Sequence, residues 1–447
     1  MSEATKTQKL GLWEAVALAV GTMIGASIFT MLGLGAKIAG HNLPLAFVLS
    51  GLLALTVGYS YASLGTRIVS NAGPIEFIVR GIGDGVVTGA LAILMWFSYV
   101  VSIALFAKGF AGYFLPLLGV PIGPVSSGVV EVLVVAAFTV LNFFGARAVG
   151  RTEFWIVLVK LSVLGFFVLL GIWSVRPEWI APRLDPAGVR GILFAAAVFF
   201  LSYMGFGLIT NASEDIEDPE RNVPRAIYLA ILVVGLVYVG VAVVAVGNLP
   251  LKELVRAEDY ALAEAARPFL GRFGYLLVSL GALFSISSAL NATLYGGANV
   301  AYALARDGHL PPVFERKVWF GAPEGLYATA LLGLFFALFL DLGGIAGVTS
   351  SVFIVIYLYV ILSHYRLWQR GEAPGRGWLV LLAFLLVLTT FFVLQYYQYL
   401  KEPRALATTW VTFAAALVLE ALYRGATGRR IELRAVRAPR ALLRRRW

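Results

Sequence analysis

Gly21-Thr22-Met23-Ile24-Gly25-Ala26-Ser27-Ile28-Phe29 interrupts the long apolar run 12–39 near its middle. About 180 residues later, Ser202-Tyr203-Met204-Gly205-Phe206-Gly207 does the same to the apolar run 191–213. A helix in lipid must satisfy its own peptide groups, so loosened backbone at mid-bilayer depth is tolerated only where it is buried in protein or lines a cavity. Two such interruptions, in corresponding places of two halves, are the sequence sign of a transporter's substrate site.

The rest of the chain is built to lie in lipid. Of its 447 residues, 60% are hydrophobic and 13% charged, against roughly 25% charged in soluble domains. At about 20 apolar residues per crossing, the sequence predicts about twelve spans: 12–39, 44–66, 86–115, 125–145, 154–173, 191–210, 226–247, 273–304, 326–340, 345–363, 378–395 and 406–422. The first apolar run is too long for a cleavable signal peptide and follows a polar leader. Cysteine is absent, which removes disulfide and thiol chemistry. His41, His309 and His364 are too scattered to ligate a metal. No Gly-rich loop ending in Lys-Ser/Thr is present for ATP, so no cofactor is expected.

Arginine and lysine placement sets the expected orientation. With the N-terminus inside, the inner connections hold Lys6, Lys9, Arg67, Arg80, Arg147, Arg151, Arg221, Arg225, Arg306, Arg316, Lys317, Arg366, Arg370 and Arg376, and the tail adds many more. The outer connections hold fewer, among them Arg176, Arg183, Arg190, Lys252 and Arg256. Both termini are therefore expected on the cytoplasmic face of a plasma membrane. The net charge of +10 lies mostly in the tail 424–447, which suits anionic-lipid contact rather than nucleic acid.

Residues 1–423 read as one transmembrane domain. Two units, 10–175 and 190–366, each begin with an interrupted span, and 376–423 supplies two further helices. Five spans per unit would turn the second unit upside down relative to the first. Between the seventh and eighth spans, Leu251, Leu254, Val255, Leu262, Ala265 and Ala266 fall at helical spacing among charged residues. That pattern fits a short amphipathic helix or two over the outer mouth, or else a solvated connector.

Four stretches carry a family likeness. The Gly21–Phe29 run resembles the first-span signature of the amino acid–polyamine–organocation superfamily. Ser213-Glu214-Asp215-Ile216-Glu217-Asp218-Pro219-Glu220-Arg221-Asn222-Val223-Pro224-Arg225-Ala226-Ile227 resembles its loop after span six. Tyr302-Ala303-Leu304-Ala305-Arg306-Asp307-Gly308-His309-Leu310-Pro311 is similar to its loop after span eight, and Asn71-Ala72-Gly73-Pro74 to its turn before span three. The resemblance implies an all-α integral membrane protein of the leucine-transporter fold, a five-plus-five inverted repeat with helices 1 and 6 unwound mid-membrane. The chain departs from the pattern at Gly25-Ala26-Ser27, where many relatives have Gly-Ser-Gly, and at Asn299, where many carry arginine.

An opened helix offers N–H groups on one side and carbonyls on the other. The N–H groups of Gly25, Ala26 and Ser27 suit a substrate carboxylate. Carbonyls of Met23, Leu201 and Met204 suit its ammonium, as the family's binding mode also implies. Ile24 and Gly205 complete the two interruptions. Leu201 stands where relatives place an aromatic gate, leaving Phe199, Phe200, Tyr203 and Phe206 to close the site or simply to pack. Relatives that carry dibasic substrates often have glutamate where this chain has Gly207, and no other carboxylate lies near mid-span. A neutral amino acid is expected.

Lys160, mid-way along span five, is costly there by about 2.5–3.5 kcal/mol and so is a functional candidate. The resemblance places it at the sodium site of sodium-driven relatives, touching the Gly21 carbonyl and a hydroxyl of Ser287 or Ser288. It would exclude sodium and either carry a proton as access alternates or brace spans one, five and eight permanently. Lys108 is read as snorkelling to the headgroups, and Glu131 and Glu153 as span-end residues without a role. The acidic loop 214–225 reads either as an inner gate held by ion pairs or as a solvated surface. The sequence thus predicts a proton-coupled, sodium-independent symporter of amino acids. An exchanger, facilitator or polyamine carrier, and an amino-acid-binding sensor, stand as the alternatives, and no enzyme is expected.

Overall fold

The computed structural model describes residues 9–25, 27–70, 73–142, 149–306, 310, 312–316 and 324–428. Ala26, Asn71, Ala72, Arg147, Asp307 to His309, Pro311, Lys317 and the tail from 429 onward lie outside the described residues. In chain order the helices are α1 (Leu12–Met23), α2 (Ser27–Thr30), α3 (Leu32–Ala39), α4 (Leu43–Gly65), α5 (Pro74–Ile82) and α6 (Val86–Leu117). There follow α7 (Pro124–Asn142), α8 (Val149–Gly171), α9 (Pro186–Phe199), α10 (Gly207–Asn211), α11 (Pro219–Asn248) and α12 (Leu251–Ala257). The chain closes with α13 (Ala261–Arg306), α14 (Glu324–Phe339), α15 (Leu342–Gln369), α16 (Gly377–Lys401) and α17 (Pro403–Thr427).

Among the described residues, eleven helical segments have the length and apolarity to cross a membrane. The shorter apolar helix α14 stands at the ninth expected crossing. Helix starts follow local chemistry. Asp185 caps α9 by accepting from Gly188 N–H at 2.8 Å, with Pro186 in the first turn. Asp341 caps α15 the same way through Gly344 N–H, at 2.7 Å. Such caps satisfy first-turn donors that the helix itself cannot. Gly271, at φ 60°, splits α13 into a short leading helix and a long one.

Burial separates the layers. The α6 and α15 spans are each 78% buried, whereas α7 is 17% and α17 22% buried. The first pair is therefore central, and the second turns Val125, Leu133, Trp410 and Val411 outward, as apolar faces against lipid do. Around the centre, α1 packs on α8 and α11, α4 lies along α11, and α6 contacts α13 and α15.

The two ends of the bundle are tied differently. At one, Leu10 forms an isolated parallel bridge with Ile216: Leu10 N–H donates to Asp215 O at 2.7 Å, and Glu217 N–H to Leu10 O at 2.9 Å. Nearby, Ser70 N–H donates to Ser213 Oγ at 3.0 Å. The acidic loop is thus held to the lead-in of α1 through main-chain groups. At the other end, α12 and the leading part of α13 fold inward. They bury Leu254, Leu262, Ala265 and Ala266 and leave Lys252 and Glu253 in the open, as the amphipathic spacing predicts. Lys108 does not simply snorkel. Its Nζ lies 3.4 Å from Oε1 of Glu131, a carboxylate only 2% exposed that needs a counter-charge.

Candidate substrate site

In the first interruption, α-helical winding stops at Met23 and resumes at Ser27. Gly25 N–H turns back on Thr22 O at 3.3 Å. In a continued helix it would serve the Gly21 carbonyl. That carbonyl instead receives Lys160 Nζ at 2.5 Å, from a side chain fully buried on α8. The next carbonyls are met by hydroxyls from distant helices. Ser285 Oγ of α13 lies 2.8 Å from Ile24 O and 2.9 Å from Gly25 O. Met23 O accepts from Ser27 Oγ at 2.9 Å and from the Tyr238 hydroxyl of α11 at 2.5 Å. Gly25 must be glycine here, because a Cβ would stand 2.9 Å from that of Ala289.

The second interruption is rewound rather than opened. Phe200–Phe206 takes the tighter 3-10 form between α9 and α10, and Met204 O accepts from Gly207 N–H. The two interruptions touch. A methyl on Gly205 would lie 2.8 Å from Met23 N and 2.9 Å from Ala19 O. Tyr238 joins them chemically, its hydroxyl also lying 3.2 Å from Ser202 O and 3.0 Å from Ser27 Oγ. Each hydroxyl carries one proton. Ser27, Tyr238 and Ser285 together therefore offer three protons to four carbonyls, those of Met23, Ile24, Gly25 and Ser202.

Beside this crossing lies a cavity of about 120 Å³. Met23, Ser27, Leu201, Met204 and Gly205, all expected at the site, line it. Ser98, Tyr99, Ser102, Asn211 and Thr293 add polar wall, and Leu105, Phe106 and Phe353 apolar wall. No Asp, Glu, Lys, Arg or His is among the described residues that line it.

The other expected residues fall elsewhere. Ile24 is fully buried behind the break. Gly25 meets the cavity with neither side chain nor free N–H, and Ala26 lies outside the described residues. Tyr203 points away and donates to Phe47 O at 3.1 Å. Phe200 and Phe206 pack on Tyr357, and Phe199 on Phe47. Gly21 and Lys160 are together. Ser287 and Ser288 stand half-buried on the same helix, α13, as Ser285, whose hydroxyl meets the Ile24 and Gly25 carbonyls.

Tyr238 and Ser285 escape a sequence reading for different reasons. Tyr238 is one hydroxyl in the apolar run Leu236-Val237-Tyr238-Val239, and a buried tyrosine seeks some partner without naming it. Ser285 belongs to Ser285-Ile286-Ser287-Ser288, where spacing alone does not say which hydroxyl faces α1.

A cavity at crossed helix interruptions within a bundle of apolar spans defines a multi-pass membrane transporter, not an enzyme. The chain matches the amino acid permease family model over residues 10–420, and it belongs to that family. It is similar to an uncharacterised protein of Methanocaldococcus jannaschii, 59% identical over 95% of this chain and 97% of that one. The inner membrane transport protein YbaT of Escherichia coli is 34% identical over 80% of this chain and 83% of its own. The methylthioribose transporter of Bacillus subtilis is 28% identical over 79% and 80% respectively.

Proposed function

We propose that this permease is a secondary active transporter that carries a neutral L-amino acid across the plasma membrane by alternating access, coupled to protons and independent of sodium. The reading takes both termini as cytoplasmic and the two units as inverted repeats of five spans, with α16 and α17 peripheral. The observation that carries it is the uncharged, polar-and-apolar cavity at the touching interruptions. First-turn N–H groups at the head of α2, which no helical carbonyl can reach, suit a carboxylate. The proposed partners of the ammonium are the main-chain carbonyls of Met23, Leu201 and Met204, residues that line the cavity. Among the described residues a dication would find no carboxylate on the cavity wall, which disfavours a polyamine carrier.

Lys160 supports the coupling. A fixed ammonium on the Gly21 carbonyl repels a sodium ion from the same spot. In this scheme Lys160 loads and releases the proton as the inner half of the first span swings and access alternates. The test is uptake into proteoliposomes of alanine, leucine, arginine, putrescine and methylthioribose, under separate proton and sodium gradients. Accumulation of a neutral amino acid on a proton gradient alone is the expected result. Robust arginine or putrescine uptake exceeding that of alanine, or a sodium requirement, would overturn it. Binding without flux would make the chain a sensor.

A further inference from the structure

The substrate site does not use the charged cluster that Lys108, Glu131, Glu258 and Asp259 form. There the short turn Glu258–Tyr260, between α12 and α13, is wedged between α3 and α6. A methyl on Gly33 of α3 would overlap the Glu258 main chain, and one on Gly112 of α6 would overlap the Asp259 side chain. Only glycines admit the turn this closely. Glu258 itself holds φ 37°, a left-handed conformation that a glutamate keeps only when its surroundings impose it. Beneath the turn, Tyr113 donates to Phe29 O at 2.6 Å, closing α6 onto the outer half of the broken first span.

Facing Asp259 are Glu258 and Tyr260 of its own turn, Lys108 and Tyr113 of α6, and Glu131 of α7. Arg256 of α12 and Glu264, Arg267 and Tyr275 of α13 stand around Tyr260. The short α2 brings Thr30 and no titratable group, and Lys37 of α3 lies toward Glu402. Lys108 already holds Glu131, so three carboxyls, those of Glu131, Glu258 and Asp259, share one nearby ammonium.

We propose that this turn is a proton-operated latch over the outer mouth, seated between α3 and α6 when Asp259 is protonated and lifted when it is ionised. The name "outer" rests on the orientation proposed above; the latch itself does not. Asp259 lies between the expected crossings 226–247 and 273–304. Burial, reinforced by Glu258, opposed by Lys108 and reinforced by Glu131, pushes its carboxyl up to about 7 from an ordinary 3.8. A group whose pKa is raised in the seated state stabilises that state at low pH, and the stabilisation is lost as pH rises through about 7. From pH 6 to pH 8 the seated form should lose about tenfold in population relative to the lifted one.

The chain has no cysteine, so Thr30→Cys gives a single thiol, fully buried beneath the turn. Its labelling by a membrane-impermeant maleimide is followed at pH 6 and pH 8, without substrate, with reagent on either side of proteoliposomes. Rates are divided by those of a free thiol at each pH. The corrected rate should rise about tenfold with pH. Adding Asp259→Asn should make it the same at both pH values and no higher than the parent's pH 6 rate, and adding Gly112→Ala should make it fast at both pH values. A rise that persists in Asp259→Asn, a flat profile in the parent, or no acceleration by Gly112→Ala would each overturn the latch. The expected pattern with access only from the side of the N-terminus would keep the latch and reverse the orientation. Because the readout needs no transport, its failure is separate from failure of the proposed substrate or coupling.

Discussion

Lys160→Met separates a proton carrier from a permanent brace, because the structure makes the two differ in stability as well as in transport. Methionine keeps most of the volume of the buried side chain and removes its charge. Taking a lysine out of mid-membrane relieves about 2.5–3.5 kcal/mol. Against this, the Gly21 carbonyl, already abandoned by Gly25 N–H, loses the donor found at 2.5 Å. A buried acceptor left unpaired costs about 1–3 kcal/mol. The balance leaves the variant's stability between roughly unchanged and about 2.5 kcal/mol higher. If the ammonium were instead a net stabilising brace, its loss would remove the 1.5–3 kcal/mol or so of a charged hydrogen bond. Thermal unfolding in detergent gives the first number. Uptake on an imposed proton gradient, set beside substrate exchange with no gradient, gives the second. Unimpaired folding, surviving exchange and lost accumulation are expected. Accumulation that persists on the proton gradient would refute the coupling role. A variant destabilised by 1.5 kcal/mol or more, about the lower edge of the charged-bond range, would refute the energetic reasoning.

Three further outcomes follow from the same geometry. Tyr238→Phe removes the hydroxyl shared by Met23 O and Ser202 O while Ser27 still serves Met23; a loss of about 1–2 kcal/mol should weaken substrate binding by about fivefold to thirtyfold in an equilibrium binding assay. Gly205→Ala presses a methyl to 2.8 Å from Met23 N, and overpacking of about 1–3 kcal/mol should lower the unfolding midpoint and the maximal uptake rate together. Unchanged values would mean that the interruptions are not in rigid contact. Gly207→Glu adds a carboxylate to the cavity wall, where the nearest atom a Cβ would meet is a Tyr61 ring carbon at 3.7 Å. Lysine should then compete with alanine for uptake, and a variant that still ignores lysine would detach cavity charge from selectivity.

What a sequence can disclose here is set by where the information resides. Crossings were legible because lipid allows only long apolar helices, and α14, with the fewest residues to spare, is the one that falls short of the full span length. The first interruption was legible because Gly25 has a close neighbour in Ala289 that no larger residue would tolerate. Lys160 was legible because an ion in a run such as Leu158-Val159-Lys160-Leu161 is costly enough to need a partner. The state of the second interruption was not legible. Phe200–Phe206 has the small residues of an opened segment, yet tighter 3-10 bonds occupy its backbone, and nothing local distinguishes those outcomes. Tyr203 was misleading for a related reason. Its neighbours Leu201, Met204 and Gly205 face the cavity, while its own hydroxyl donates to Phe47 O. Lys108 and Glu131 looked like separate span-end residues because their pairing joins positions 23 apart in sequence.

The main-chain bridge at Leu10 and Ile216 and the glycine-seated turn at Glu258–Tyr260 close the two ends with unlike chemistry, and that difference has a directional consequence. Peptide N–H and carbonyl groups do not titrate, so the Leu10 bridge responds to strain in α1 and to little else. The turn at Asp259 responds to the solution it faces. Under the proposed orientation, acid outside seats the outer closure before anything happens at the inner one. In the proposed cycle, movement of α1 then breaks the Lys160–Gly21 contact and strains the Leu10 bridge together, because Gly21 rides on α1 and Leu10 lies two residues ahead of it. Under these proposals the order of events follows from which groups can change charge and from which end they occupy.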